Sequence, residues 1–140
     1  MKILVIDDEP LVRRSLLRAI QSRGHSGFEA EDGKRGLEVW RSCGSDLDLV
    51  FVDVLMPGLG GPDMLAQVLD PRNPPVLADT ERALPYVVLM SAFSGEDSEK
   101  LAHDCGADRF LQKPFDDLFA ILDQAISDAE ARKRRRQNES

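Results

Sequence analysis

One stretch, residues 49–58, reads LVFVDVLMPG and carries an apolar run directly into an acid. A continuous apolar run that contains β-branched and aromatic residues is typical of a strand buried on both faces. Asp53 ends this run, and Pro57-Gly58 marks a turn shortly after it. Ligands of open α/β sheets bind at the carboxyl edge of the strands. The stretch therefore predicts a strand that delivers one reactive carboxylate, Asp53, to a ligand-binding edge.

The regions on both sides of this strand alternate between short apolar runs and helical patterns. Apolar residues recur at helical spacing after Pro10, and proline is favoured at the first position of a helix. Gly24, Gly44 and Gly106 end helical patterns, as glycine commonly does. Five β-α units in strict alternation predict an α/β fold, a doubly wound five-stranded parallel sheet with five helices on its two faces. The predicted strands are residues 2–6, 25–30, 48–53, 86–90 and 108–111.

Two regions depart from this alternation. Residues 70–84 contain Asp70-Pro71 and Pro74-Pro75, which exclude a helix interior, so we predict an inserted loop there. The fifth helix is predicted to open at Asp116-Asp117 and to be extended by a basic run at 132–136, which is expected to be a solvated helix end or linker. A nucleic-acid contact and interdomain docking remain alternatives for that run.

Composition limits the class of protein. The 140 residues are 42% hydrophobic and 31% charged, which suits one globular domain, and no apolar run is long enough to span a membrane. Residues 132–136 contribute +5 to the net charge of −7, so the rest of the chain carries −12. An acidic body argues against direct nucleic-acid binding by the domain. Cys43 and Cys105 have no metal-ligand spacing and are expected to be reduced packing residues of a cytoplasmic protein.

Polar residues stand at the ends of four predicted strands. Asp7 and Asp8 follow the first strand, Asp53 ends the third, Ser91 ends the fourth, and Lys113 follows the fifth. Because the carboxyl ends of parallel strands meet at one edge, we expect three carboxylates, one hydroxyl and one ammonium to converge there. An aspartate at a strand end is also a common helix cap, so the prediction depends on the set rather than on any single member.

Three carboxylates this close either raise one another's pKa or bind a cation. Mg²⁺ prefers oxygen ligands and keeps places for water and a phosphoryl oxygen. We expect Asp8 and Asp53 to be direct ligands and Asp7 to hold a metal-bound water. An aspartate beside Mg²⁺, with Lys113 and Ser91 nearby, is equipped to accept a phosphoryl group and form an aspartyl phosphate.

These motifs resemble the receiver domain of bacterial two-component response regulators. The matching residues are Asp7-Asp8, Asp53 to Gly58, Ser91-Ala92 and Lys113-Pro114-Phe115. Each motif is weak alone, but their order along the chain is specific. The resemblance spans residues 1 to about 126 and implies a flavodoxin-like receiver domain at 1–126. Residues 127–140 would be an extended basic helix end with a frayed tail.

The resemblance implies a role for each matching residue. Asp53 would be the phosphoacceptor, and Ser91 and Lys113 would contact the phosphoryl group. Phe110 stands where the family carries its switch aromatic, although it could also be an ordinary core residue. The Lys113–Pro114 peptide would be cis. Mg²⁺ would be held by Asp7, Asp8, Asp53 and the backbone carbonyl of Leu55.

The resemblance also implies partners. A sensor histidine kinase or phosphotransfer protein would supply the phosphoryl group, and the protein would act in phosphorelay signal transduction rather than as an enzyme. Phosphorylation would change the surface formed by the fourth helix, fifth strand and fifth helix, which could bind an output domain or a second copy. A complete single-domain regulator and a part of a longer protein both remain open.

Two other functions compete with this interpretation. A Mg²⁺-dependent phosphatase with an aspartyl nucleophile typically carries a second aspartate two residues later, where this chain has Leu55. A receiver that binds partners without phosphorylation would not need the full set of acids, serine and lysine. Leu55 and Phe93 are apolar where many receivers place polar side chains, so we expect an aspartyl phosphate that hydrolyses slowly.

Overall fold

The structure is a computed structural model of the chain, and it describes residues 1–69, 84–92 and 98–139. The predicted insertion at 70–84, apart from Leu84, and Phe93 lie outside the described residues. The strands are β1 (Lys2–Ile6), β2 (Ser26–Ala30), β3 (Leu47–Asp53), β4 (Tyr86–Ser91) and β5 (Arg109–Gln112). The helices are α1 (Pro10–Ser22), α2 (Gly33–Cys43), α3 (Gly61–Leu69), α4 (Ser98–Cys105) and α5 (Leu118–Glu139).

The predicted order of five strands and five helices is confirmed, and the strand ends agree with the predicted ranges to within one residue. Two further details differ. The fifth helix begins at Leu118 rather than at the preceding acids, because the Asp117 side chain accepts a 3.0 Å hydrogen bond from the Ala120 backbone N–H and so caps the helix. A short 3₁₀ helix at Gly44–Asp46, which the sequence pattern did not predict, joins α2 to β3.

The sheet is parallel throughout, with the strand order β2-β1-β3-β4-β5. This order confirms the predicted doubly wound sheet. The chain leaves β1 toward one side of the sheet and leaves β3 toward the other. A crevice opens at such a reversal, at the carboxyl ends of β1 and β3.

Apolar side chains cover both faces of the sheet. One face packs under α2, α3 and α4, and the other packs under α1 and α5. Successive residues of a strand point to opposite faces, so Leu4 and Ile6 lie in the first core and Ile3 and Val5 lie in the second. Residues 3–6 of β1, 49–52 of β3 and 87–90 of β4 are therefore apolar and buried on both faces, which explains why the sequence shows these strands as continuous apolar runs.

The turn after Asp53 needs glycine at two places. Gly58 has a φ of +78°, which side chains with a Cβ rarely adopt. A Cβ on Gly61 would collide with the Asp53 carbonyl oxygen. The chain can therefore turn tightly at the end of β3 and start α3 directly behind the acid.

Helix α5 extends beyond the strands that it covers. Arg132 lies 2.5 Å from Asp108, and Lys133 lies 3.1 Å from Asp48. Two members of the basic run therefore pair with the body of the domain, while Lys133, Arg134 and Arg135 are exposed, as expected for a solvated helix end. Among the described residues, no helix is long and apolar enough to cross a membrane.

Candidate functional site

Three carboxylates lie together at the crevice and are called the acidic cluster. One carboxylate oxygen from each of Asp7, Asp8 and Asp53 lies within 4.8 Å of the others. Asp7 is 0% exposed and Asp53 is 5% exposed, whereas Asp8 faces solvent. Burying like charges this close is unfavourable unless a cation offsets them.

The neighbouring strands bring the acids together. Ile6 of β1 pairs with Val52 of β3, so the residues that follow each of them, Asp7 and Asp53, emerge side by side. Residues 3–6 of β1 and 49–52 of β3 are all apolar, so the acids are the first polar residues at this end of both strands. The predicted convergence of Asp7, Asp8 and Asp53 is therefore observed.

Lys113 reaches this cluster from the far side of β4. Its Nζ lies 2.6 Å from Asp7 Oδ2 and 3.1 Å from Asp53 Oδ2, and its side chain is only 7% exposed. The Lys113 backbone N–H donates a 2.8 Å hydrogen bond to the Ser91 carbonyl, which holds the residue after β5 against the end of β4. The predicted cis peptide at Lys113–Pro114 is confirmed.

The other predicted site residues are Ser91, Leu55 and Phe110, and the structure places them in different surroundings. Ser91 is buried at the carboxyl end of β4, the strand next to Asp53. The Leu55 backbone N–H donates a 3.4 Å hydrogen bond to Asp53 Oδ1, while its side chain is 69% exposed. Phe110 is buried in the core under α2, α3 and α4.

Burial and the charge of the partner group have opposing effects on the pKa of Asp53 and on the pKa of Lys113. Burial raises the pKa of Asp53 to about 6, which Lys113 opposes and Asp7 reinforces. Burial alone would lower the pKa of Lys113, but Asp7 and Asp53 outweigh it and hold that pKa above its usual value. At neutral pH, the site therefore contains an ammonium beside a largely ionised Asp53.

The acidic cluster has the composition of a divalent-cation site. By formal charge, three carboxylates against one ammonium leave two negative charges in excess. Asp7 Oδ2 is buried, and apart from its ion pair with Lys113 it has no hydrogen-bond partner among the described residues. The donor atoms are all oxygens, which a hard cation such as Mg²⁺ prefers.

Sequence reasoning missed two residues next to the cluster. Glu9 follows the two acids directly, and its Oε1 lies 3.5 Å from Lys113 Nζ. Its position in the acidic run could have indicated a role. Arg13 donates a 2.8 Å hydrogen bond to the backbone carbonyl of Asp7. No sequence pattern indicated this contact, because Arg13 is one of several arginines on α1.

Comparisons with known proteins agree with this geometry. The family model for the response regulator receiver domain matches residues 3–123. Response regulator MprA of Mycolicibacterium vanbaalenii is 38% identical over 116 residues, which cover 82% of this chain and 45% of MprA. Sensor kinase CckA of Brucella abortus is 33% identical over 116 residues, which cover 81% of this chain and 11% of CckA. The chain thus spans less than half the length of these relatives.

The fold also matches solved structures. A response regulator receiver domain protein from Clostridium thermocellum is 27% identical, with a TM-score of 0.74. The superposition covers 95% of this chain and 96% of that chain.

Proposed function

Because the chain belongs to the response regulator receiver domain family, we propose that it is a phosphorylation-activated signalling switch whose phosphoacceptor is Asp53. The observation that carries the proposal is a buried carboxylate held 3.1 Å from the Lys113 ammonium, next to two further acids. Members of this family typically accept a phosphoryl group rather than turn over a substrate.

The proposed reaction is a transfer from a donor histidine to Asp53. A carboxylate oxygen of Asp53 forms a bond to phosphorus while the bond from phosphorus to the donor's imidazole nitrogen breaks. The imidazole leaves with the electron pair and takes up a proton. Because the pKa of Asp53 is about 6, the group is mostly an ionised nucleophile at neutral pH.

Two side chains would stabilise the transferred group. Lys113 stays an ammonium because its pKa is raised, and it would neutralise charge on the phosphoryl oxygens. The buried Ser91 hydroxyl group would donate a hydrogen bond to a phosphoryl oxygen after transfer. A Mg²⁺ ion would offset the remaining negative charge of the transferring group. Its ligands would be the acidic cluster and, by family resemblance, the backbone carbonyl of Leu55.

An apolar groove beside Lys113 supports a protein as the phosphoryl donor. The groove has a volume of about 440 Å³, and its apolar lining includes Leu11, Val12, Phe115 and Leu118. Leu11 lines this groove and is 82% exposed, so its side chain is accessible to a docking protein. A sensor histidine kinase or phosphotransfer protein docked there would bring its histidine to Asp53.

The proposed output is a change of surface. Ser91 would move toward the phosphoryl group, Phe110 would turn, and the face formed by α4, β5 and α5 would change its affinity for an output domain or a second copy. We place the receiver domain at 1–126, with 127–140 as an extension of α5, and we expect the protein to act in the cytoplasm without direct nucleic-acid binding.

Labelling by a small phosphoryl donor tests the acceptor residue. Acetyl phosphate with Mg²⁺ should add one phosphoryl group to the wild type, as measured by intact mass. Asp53→Asn should stay unlabelled, because an amide cannot act as the nucleophile. The control is Asp63→Asn, which changes an exposed acid on α3 and should label normally. Label on Asp53→Asn would contradict the proposal.

The lifetime of the phosphorylated state is a separate expectation. The Leu55 side chain lies two residues after Asp53 and cannot orient an attacking water, so hydrolysis of the aspartyl phosphate should be slow for a receiver. Leu55→Asn should speed hydrolysis, as followed by loss of label after the donor is removed. A wild-type half-life of seconds would contradict the expectation and leave the acceptor assignment intact.

A further inference from the structure

Arg13 of α1 contacts the backbone between the first two acids rather than their carboxylates. Its Nη1 donates a 2.8 Å hydrogen bond to the carbonyl of Asp7. That carbonyl belongs to the peptide group that joins Asp7 to Asp8. The Arg13 side chain is only 12% exposed, so water competes little for this bond. The guanidinium therefore fixes the plane of the peptide that links the two acids.

Arg13 is itself held on a second side. Its Nε lies 3.3 Å from Glu29 Oε2, and Glu29 is part of β2. A guanidinium is planar and presents donors in a fixed fork, so one carboxylate and one carbonyl can orient it completely. The bond to Asp7 thus belongs to a bridge from β2 through α1 to the acidic cluster.

The remaining polar groups of Asp7 have other partners. Its N–H donates to the Ala30 carbonyl at 3.1 Å, and its Oδ1 accepts from the Glu9 N–H at 2.9 Å. The Asp8 carboxylate, by contrast, accepts no hydrogen bond from another described residue and faces solvent. The position of Asp8 therefore depends on the peptide groups on its two sides, of which Arg13 holds the preceding one and the Asp7 carboxylate holds the following one.

We infer that Arg13 is a positioning residue, which acts through the Asp7–Asp8 peptide to keep both carboxylates where they can share one cation. The inference rests on the proposed function, since it assumes that the acidic cluster binds Mg²⁺. Outer groups that orient metal ligands typically change metal affinity by 10- to 100-fold when they are removed.

A positioning role and a purely electrostatic role of Arg13 predict opposite changes in Mg²⁺ affinity when the side chain is removed. A cation near a cation site repels Mg²⁺, so removing its charge should strengthen binding if only Coulomb forces act. If Arg13 positions the acids, removing it should weaken binding. Arg13→Lys separates the two further, because it keeps the charge and loses the fork.

The test compares Mg²⁺ affinity across matched variants, with Mg²⁺ alone as the titrant and calorimetry or amide chemical shifts as the readout. We expect Arg13→Gln to bind Mg²⁺ roughly 10-fold more weakly than the wild type, and Arg13→Lys to be weakened in the same direction. Arg14→Gln is the control: it removes the same charge from an exposed side chain of the same helix, which has no hydrogen bond or ion pair to another described residue. It should not weaken binding.

Kinetics provide a second readout. If Arg13 acts through the cation, the labelling of Arg13→Gln by acetyl phosphate should need more Mg²⁺ but return close to the wild-type rate at saturation. In the metal-free state, the Asp8 amide resonance should shift in Arg13→Gln and stay in place in Arg14→Gln, since the Arg13 bond is on the same peptide group.

The outcomes separate this inference from the proposed function. Folded Arg13→Gln or Arg13→Lys with unchanged or tighter Mg²⁺ binding would overturn the inference while wild-type labelling at Asp53 still stood. A wild type that binds no Mg²⁺ would overturn both. If Arg13→Gln does not fold, Arg13→Lys decides the question, because it preserves the charge and most of the side-chain volume.

Discussion

The two edges of the sheet both carry aspartates, but they balance the charges differently. At the carboxyl edge, the three acids of the acidic cluster share the Lys113 ammonium. At the amino edge, Asp48 and Asp108 each have a cation and a backbone N–H of their own. The first edge keeps an excess of negative charge, whereas the second is neutralised pair by pair.

The amino edge shows what a structural aspartate looks like in this molecule. Asp48 accepts a 2.9 Å hydrogen bond from the Lys2 backbone N–H and pairs with Lys133. Asp108 accepts a 2.8 Å bond from the Val87 backbone N–H and pairs with Arg132. Each acid thus accepts a backbone N–H near the start of a neighbouring strand and pairs with a cation in the C-terminal half of α5.

The comparison shows that a position at the end of a strand does not by itself make an aspartate reactive. A matched acid holds secondary structure together, because its lone pairs are occupied and its charge is offset. An acid in an unbalanced, buried cluster retains affinity for a cation or an electrophile. The four predictions that follow test this difference, from the largest effect to the smallest.

Lys113 and Lys133 both pair with aspartates, but replacing them should have very different effects on labelling at Asp53. Lys113→Met should slow labelling by acetyl phosphate by about 100-fold, because it removes the ammonium that offsets charge on the transferring group. Lys133→Met should leave the labelling rate unchanged. The rates are measured by intact mass at saturating Mg²⁺. Equal effects of the two changes on the labelling rate would contradict the conclusion that only the carboxyl edge takes part in phosphoryl transfer.

Removing the phosphoacceptor charge should stabilise the metal-free protein. The folded pKa of Asp53 is raised from 3.8 to about 6, so the ionised form is disfavoured in the folded state. This penalty is absent below the unfolded pKa, grows as the pH rises between the two values, and is complete above the folded pKa. A shift of this size corresponds to at most about 3 kcal/mol at pH 8.

The measurement is urea unfolding of wild type and Asp53→Asn in chelator from pH 4 to pH 8. Asp53→Asn should be the more stable variant at high pH, and the difference should shrink toward pH 4. Saturating Mg²⁺ should reduce or reverse the difference, because it binds the wild-type carboxylate in the folded state. If Asp53→Asn were less stable than the wild type at every pH in chelator, the conclusion that the acidic cluster has excess negative charge would be contradicted.

Removing a matched aspartate should destabilise the protein, which is the opposite of the effect expected for Asp53→Asn. Asp108→Ala leaves the Val87 N–H without its acceptor and Arg132 without its partner, which should lower the free energy of unfolding by about 2 kcal/mol. Labelling at Asp53 should be unaffected. Denaturant unfolding at pH 7 measures the loss, and Asp63→Ala, at an exposed position on α3, should change stability little. A stability gain in Asp108→Ala would remove the basis of the comparison.

The smallest effect belongs to the exposed pair at the same edge. The Lys133 side chain is 58% exposed, so solvent screens its attraction to Asp48. Lys133→Ala should lower the free energy of unfolding by less than about 0.5 kcal/mol. Raised salt should weaken even this difference. A loss comparable to that of Asp108→Ala would mean that the end of α5 is held more strongly than its exposure indicates.

The strands and their terminal residues could be predicted because the relevant signals are local. An apolar run that is buried on both faces, followed by an acid and a turn, identifies β3 and Asp53 without any knowledge of the rest of the chain. Helix α5 begins two residues after the predicted start at Asp116, since the sequence shows acids near a helix start but not which of them caps it. Asp117 does so through its bond to Ala120.

The sequence by itself therefore determined the order of elements and which residues stand at the carboxyl edge. Only the tertiary structure decided how charge is shared among them. Lys113 reaches Asp53 across 60 positions of sequence, and Lys133 reaches Asp48 across 85. Both partners are set by strand order and by the path of α5, which no local pattern encodes. That sharing leaves one group of aspartates with excess charge and makes the other part of the scaffold.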